Sequence, residues 1–382
     1  MTRFPAASAS DAPPSFDGAP LVSIILPVFN AEKWLPSCVG SLLRQNYQHI
    51  EIVAIDDGST DASAAILADL AARDTRLRVI SRPNRGLVAT LNEALPLCRG
   101  DLIARMDSDD IAYPDRIGEQ VRAFLADPQL ALSGCRYDVI YGRDRVHRVD
   151  GLRCSTADDL AVMARYFTML LHPTVMFRRS VIGEAELRYD DNYPHAEDFD
   201  LFRRIARQHR TMITDRPLLA YRVHVESVSA TRKTEMRYTH LRIVAENLAE
   251  AHGYRWDERN AEILERVDHE SVTRASRLIA ALDRITELAE PSLKMAHKEG
   301  ADNLFFFLYT IIWESGETGL LSMFVDTTGR RNQIRRRERY LFHSPASGGG
   351  AVGLKLLEAF DKISRYFRST PARRAIPGFQ RL

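Results

Sequence analysis

The chain has 382 residues, 45% of them hydrophobic and 27% charged, a composition that excludes global disorder and allows a sizeable core in about two units. The formal net charge is +1, but residues 330–382 hold 13 Lys/Arg against 3 Asp/Glu, a net of +10, which leaves a net of −9 for the remainder. Four cysteines without a C-x-x-C pair or a His-rich neighbour suggest neither a zinc site nor a disulfide framework and fit a reducing cytoplasm.

Residues 1–20, rich in Ala, Ser, Pro and Asp, read as a disordered leader. "LVSIILPVF" at Leu21–Phe29 is a continuous apolar, β-branched run suited to a strand buried on both faces of a parallel sheet. Asn30 is placed to cap the following helix, in which Trp34, Leu35, Val39, Leu42 and Leu43 recur at helical spacing. A second strand, Ile50–Ile55, ends at Asp56-Asp57-Gly58, and Ser59 or Thr60 is placed to cap a helix carrying Ile66, Leu67 and Leu70. "LRVIS", "RPNRG", a helix from Leu87 to Leu97 and the strand Leu102–Met106 complete a β-α-β-α-β-α-β series. Such alternation predicts a mostly parallel, Rossmann-like α/β sheet with helices on both faces, and ligands in such sheets bind beyond the carboxyl ends of the strands. Asp56, Asp57, Asn84, Arg85, Asp107 and Asp109 all fall at those ends.

Pro114 suits a first helical position, and "DRIGEQVRAFLADP" reads as the helix it opens. Strand-like "LALSGCRYDVIYG" and "HPTVMFR" follow, then a helix starting near Glu197. "PLLAYRVHVESVSA" closes this unit at about residue 230, and residues 231–329 are mostly helical by pattern. The longest apolar run, Leu304–Trp313, is about half of what a membrane-spanning helix needs.

Three carboxylates within four residues, Asp107, Asp109 and Asp110, repel one another unless a cation offsets their charge. Hard divalent cations, Mn²⁺ or Mg²⁺, take carboxylate oxygens together with substrate phosphates, which gives the cluster a use. Asp107-Ser108-Asp109 resembles the D-x-D motif of nucleotide-sugar glycosyltransferases. "VSIILPVFNAEKWLPSCVGSLLRQNYQHIEIVAIDDGSTD", "RPNRGLVATLNEAL" and "RMDSDDIAYPDRI" resemble, in order, the signature blocks of family 2 inverting glycosyltransferases of GT-A fold. "HPTVMFRRSVI", "AEDFDLFRRI" and "YRVHVESVS" resemble the later blocks, so the likeness covers about residues 21–230.

The resemblance implies a nucleotide site in which Asp57 accepts the uracil N3–H, Pro27 and Phe29 border the base, and Asn84 and Arg85 lie beside the nucleotide. It implies Asp109 as the metal ligand, Asp107 on the ribose or on the metal through water, and His224 completing the metal or diphosphate site. Asp110 is expected to cap the following turn. Asp198, in the Glu197-Asp198 block, is implied as the base that deprotonates the acceptor hydroxyl; Glu197 and Arg222 are candidate diphosphate or acceptor contacts, with a salt bridge as the alternative role for Arg222. His172 and His195 are weaker candidates.

In "GLKLLEAFDKISRYFRS", Leu356, Leu357, Phe360, Ile363 and Phe367 form an apolar stripe with Lys355, Lys362, Arg365 and Arg368 away from it. Such a basic amphipathic helix either lies in an anionic membrane interface or docks on its own protein. No aromatic-rich RNA platform or DNA-binding motif accompanies the basic tail, so nucleic acid is not an expected partner. The expectation is a cytoplasmic enzyme, with peripheral contact at the inner face of the cell membrane. It comprises a catalytic domain at 21–230, a helical extension at 231–329 and a basic tail at 330–382. It would transfer a sugar with inversion from a nucleotide-diphosphate donor, a UDP-sugar, to a glycan or lipid-linked acceptor. The competing readings are a non-catalytic protein that kept the fold, and a haloacid dehalogenase-type phosphatase, whose D-x-D follows the first strand rather than the fourth.

Overall fold

The computed structural model describes residues 19–141, 145–148, 156–224, 232–255, 272–296, 300–315 and 318–330. Nearly all of the expected leader and the basic tail, including its amphipathic stripe, lie outside the described residues. The chain divides into two compact units, one reaching to Ala164 and resuming at Thr168–Arg232, the other formed by Arg165–Phe167 and the chain from Lys233 onward.

In the first unit, β1 (Val22–Val28), β2 (Ile50–Asp56), β3 (Leu77–Ser81) and β4 (Leu102–Arg105) pair in parallel in the order β3-β2-β1-β4. The helices α1 (Leu35–Leu43), α2 (Ser63–Arg73) and α3 (Leu87–Ala94) are the crossovers between them. The sheet continues as a mixed half through β5 (Ile111–Ala112), β6 (Leu130–Tyr141), β7 (Arg145–Arg148), β8 (Met176–Arg178) and β9 (Arg210–Val223). Here β8 runs antiparallel to β4 and β6, and β9 runs parallel to β6. The helices of this half are α4 (Arg116–Ala126), α5 (Ala157–Met163), α6 (Arg179–Ile182) and α7 (Glu197–Gln208).

Alternation within the apolar strands supplies both faces of the sheet. Val22, Ile24, Leu26 and Val28 of β1 join a core with Leu35, Val39 and Leu42 of α1 and Ile117, Val121 and Phe124 of α4. Ile25 of β1, with Val53 and Ile55 of β2, points the other way, into a core with Leu91 of α3 and Leu201, Phe202 and Ile205 of α7. With both faces covered, the open edge for a ligand is the carboxyl end of β1, β2 and β4.

Four local expectations are corrected. Asn30 does not cap α1; it sits at φ +48°, and its side-chain oxygen accepts from the Thr60 N–H at 2.8 Å, because the β1–α1 and β2–α2 loops face each other. Neither Ser59 nor Thr60 caps α2, where Asp61 accepts the Ser63 N–H at 2.9 Å. Pro114 lies before α4 rather than in its first turn, and its carbonyl accepts from the Asn46 N–H at 2.8 Å. Trp34 is not on the buried face of α1 but at its N-cap, half-buried.

The second unit holds the helices Lys233–His252, Val272–Ala296, Gly300–Ser315 and Thr318–Thr327. Its core contains Leu241, Leu248, Leu282, Ile285, Leu304, Leu308 and Phe305, whose ring stacks on Phe324 with centroids 5.4 Å apart. Within the apolar run noted in the sequence, Leu304, Phe305, Phe307, Leu308, Tyr309 and Ile312 are thus buried between helices. Among the described residues, no helix is long and apolar enough to cross a membrane.

Candidate active site

The parallel register aligns the ends of β1, β2 and β4, with Val28 opposite Asp56 and Ile25 opposite Arg105. Beyond β2, Asp56 and Asp57 take different roles. Asp56 accepts the Ser59 N–H at 3.1 Å and shapes the turn. Buried Asp57 receives the Arg85 N–H at 2.8 Å and the Gly86 N–H at 2.9 Å, and forms an ion pair with Arg82. Two donors fall on Oδ1 and one on Oδ2, so Oδ2 keeps acceptor capacity for a ligand N–H. Gly58, at φ +73°, lets this turn approach the next loop: an added Cβ would meet the Asn84 nitrogen at 2.6 Å. Asn84 and Arg85 are exposed at this end, as is Phe29, at 51%, whereas Pro27 is buried within β1.

Beyond β4 the chain turns through Asp107, Asp109 and Asp110, whose carboxylate oxygens lie within 4.8 Å of one another. The short antiparallel pairing of β5 with β9, Ile111 opposite Ala220, lays this turn alongside the end of β9. The Arg222 N–H therefore donates to Asp110 Oδ1 at 2.7 Å, Arg222 Nε to the Asp109 carbonyl at 2.8 Å, and His224 Nε2 lies 2.8 Å from Asp109 Oδ2. Asp110 does not cap the following turn; it is fully buried and joins two segments 112 residues apart. The Arg222 guanidinium lies over the Trp34 ring, 4.1 Å from its centroid, and the His224 ring is 6.3 Å away from it.

Beyond burial, repulsion among the carboxylates of the turn raises the proton affinity of Asp107 and Asp110, and a bound cation would relieve it. Burial, then repulsion by Asp109 and Asp107, pushes Asp110 well above the usual carboxylate range. Burial also raises Asp107, opposed by the ion-paired guanidinium of Arg105. Asp110 Oδ2 is buried without a hydrogen-bond partner, a costly arrangement for a carboxylate. Three carboxylates and an imidazole are donors suited to Mn²⁺ or Mg²⁺, so the residues fit a divalent cation.

Glu197 and Asp198 form the first turn of α7, which starts where the sequence places it. Burial, and for Glu197 the adjacent Asp198, pushes Glu197 up to about 7; burial pushes Asp198 up to about 6 despite the 2.7 Å hydrogen bond from the Phe199 N–H. Arg105 lowers both and Asp107 raises both, so the acid turn and the start of α7 share one electrostatic environment. His172 borders this environment without joining the acids: it is buried, with Nε2 2.9 Å from the Tyr189 hydroxyl and its ring against Phe202, and burial followed by Arg105 holds it well below the usual imidazole range. His195 sits at φ +60° in the loop before α7.

Sequence reasoning missed Arg105, Arg82 and Trp34. Arg105 is 2% exposed at the last position of a buried strand, pairs with Asp107 and has no hydrogen-bond partner for Nε. A charged residue ending an otherwise apolar strand was the available signal. Arg82 donates to Glu93 at 2.7 Å and to Thr90 at 2.9 Å as well as pairing with Asp57. Nothing in its spacing distinguished it from a surface arginine.

An α/β sheet covered on both faces, with an acid turn beyond β4 and a Glu197–Asp198 pair at the start of α7, has the GT-A type fold, and the comparisons with known proteins agree. The unit that carries the site belongs to glycosyl transferase family 2, whose sequence model matches residues 23–185. An uncharacterized glycosyltransferase of Haemophilus influenzae is 28% identical over 242 residues, 61% of this chain and 74% of that protein. The chondroitin synthase of Escherichia coli is 30% identical over 237 residues, 60% of this chain but only 33% of its own length. Among solved structures, S. aureus TarS 1–349 in complex with UDP-GlcNAc shares the fold, with a TM-score of 0.53 at 17% identity over 82% of this chain and 91% of that one.

Proposed function

We propose that the protein is an inverting, divalent-metal-dependent glycosyltransferase. It takes a sugar from a UDP-sugar donor and passes it to a hydroxyl of a glycan or lipid-linked acceptor, in polysaccharide synthesis. The observation that carries this reading is the acid turn of Asp107, Asp109 and Asp110 at the end of β4, with Asp107 and Arg105 acting electrostatically on both Glu197 and Asp198. Asp57 would accept the uracil N3–H through Oδ2, with Phe29 against the base and Pro27 supporting it from within β1, and with Asn84 and Arg85 beside the nucleotide. Asp107 would hold the ribose side.

Asp109 and His224, with Asp110 beneath them, would hold Mn²⁺ or Mg²⁺, and such a cation supplies charge neutralisation for a departing diphosphate. Arg222 would support the same charge, held in place by Asp109, Asp110 and Trp34. Asp198 would take the proton of the acceptor hydroxyl as its oxygen attacks the anomeric carbon from the face opposite the leaving nucleotide. One carboxylate suffices for this displacement, because no covalent glycosyl intermediate forms. Glu197 would share the proton and line the acceptor side. The relatives that carry the match are glycosyltransferases, and one structural neighbour holds UDP-GlcNAc, which supports a UDP-sugar donor.

The test is donor turnover followed by proton NMR, using a panel of UDP-sugars with Mn²⁺. Release of UDP with a β-configured product from an α-linked donor, abolished in Asp198→Asn, supports the reading; an α-configured product contradicts inversion. Peripheral membrane contact is proposed from the basic sequence at residues 330–382 alone. Deleting residues 350–382 should release the protein from anionic vesicles, and undiminished binding contradicts that part.

A further inference from the structure

Trp34 is placed where the two halves of the site meet. Its ring has Lys33 Nζ 4.1 Å from the centroid, the Arg222 guanidinium 4.1 Å from it and the His224 ring at 6.3 Å. Arg222 is only 4% exposed, so its contact with the indole is largely desolvated, the setting in which a cation held against an aromatic face is worth most. The same arginine is fixed by Asp109 and Asp110, and His224 by Asp109. The end of β9 therefore rests on two supports, the acid turn and Trp34.

Trp34 itself is carried by a loop tied to the nucleotide end of the sheet. Asn30 N–H donates to Ser59 Oγ at 3.0 Å, and Thr60 N–H to Asn30 Oδ1 at 2.8 Å. Ala31 N–H donates to Ser63 Oγ at 2.8 Å, while Glu32 N–H donates to Asp61 at 3.0 Å and Ala62 N–H to Glu32 at 2.9 Å. These bonds lock residues 30–32 to residues 59–63, directly after Asp57 and Gly58. A continuous chain of contacts thus runs from the Asp57 turn, through the β1–α1 loop and Trp34, to Arg222, His224 and Asp109. We propose that Trp34 is a positioning residue that braces Arg222 and His224, so that a nucleoside diphosphate at the β2 end and a divalent cation at the acid turn strengthen each other's binding. The proposal rests on the nucleotide and metal sites proposed above.

Losing a desolvated contact of about 1 kcal/mol corresponds to about a fivefold change in a binding constant. The experiment is titration calorimetry of UDP, with and without Mn²⁺, on the full chain and its Trp34→Leu and Trp34→Phe variants. Leu keeps apolar volume but has no aromatic face; Phe keeps a face. The enhancement of UDP binding by Mn²⁺ should fall about fivefold or more in Trp34→Leu and stay within about twofold in Trp34→Phe, while metal-free UDP binding stays within about twofold in both. A wild-type enhancement left intact in Trp34→Leu overturns the role of Trp34 alone. Equal loss of metal-free UDP binding in Trp34→Leu would mean a merely structural role and also overturns it. No enhancement in the wild-type chain overturns both the proposal and the metal-dependent reading beneath it.

Discussion

His224 Nε2 lies 2.8 Å from Asp109 Oδ2, although 115 residues separate them in the chain. The contact exists because β9 ends beside the turn that leaves β4, and it fixes the orientation of a carboxylate assigned to the metal. Partners of this kind commonly contribute about 10–100-fold to metal affinity. His224→Ala should weaken Mn²⁺-dependent UDP binding by about tenfold, with metal-free binding unchanged; calorimetry that finds the two equally affected would remove His224 from the metal site.

Asp198 combines a catalytic assignment with a cost to stability. Burial raises its carboxyl to about 6, so above that pH the folded state holds a charge it disfavours. Because the folded pKa lies above the unfolded value, this group contributes least at high pH, and its penalty disappears once it is protonated in both states, below about 4. Asp198→Asn should therefore raise stability by about 1–3 kcal/mol at pH 8 and have little effect on it at pH 4. It should also lower transfer by about 10²-fold or more. Paired denaturant melts at the two pH values and a rate measurement check both halves.

The acidic limb of the rate should report the Glu197–Asp198 pair together, since two adjacent coupled acids titrate as a unit. Activity should rise with pH between about 6 and 7, the range to which burial pushes the two, helped at Glu197 by repulsion from Asp198. Arg105 is the cation that opposes this rise for both, against Asp107, while Tyr189 also feels both acids. Arg105→Met should shift the limb upward by about one pH unit, and Arg105→Lys by less. A limb that stays in place in Arg105→Met would show that Arg105 serves only Asp107.

Glu51 provides a control at the opposite end of β2. Burial would raise its carboxyl, but the Ser23 hydroxyl at 2.6 Å, the Arg99 N–H at 2.7 Å and Arg78 at 3.0 Å outweigh it and hold the group below the usual carboxylate range. That stabilisation is present above the unfolded pKa and is lost as pH falls through the folded one. Glu51→Gln should cost about 1–3 kcal/mol at pH 7, as read from denaturant midpoints, and leave UDP binding intact.

The parallel half of the sheet was legible because its signals are local. β1 and β2 are continuous apolar runs ending in polar turns, and α7 begins at Glu197 as its pattern indicates. The capping expectations at Asn30, Ser59 and Thr60 failed because those side chains bond across two loops about 30 residues apart, which no local rule anticipates. The place of Asp110 was illegible for the same reason: its partner is the backbone of Arg222. Arg105 and Trp34 belong to this class too, since their importance arises from strand order and loop pairing rather than from any motif.

The most direct measurement is calorimetric binding of UDP, dTDP, GDP and CDP to the purified protein, each with and without Mn²⁺, beside the Asp109→Ala variant. UDP is expected to bind, Mn²⁺ to strengthen its binding, and Asp109→Ala to abolish the metal effect. Absence of nucleotide binding in either condition would contradict this and leave the acid turn without its proposed role.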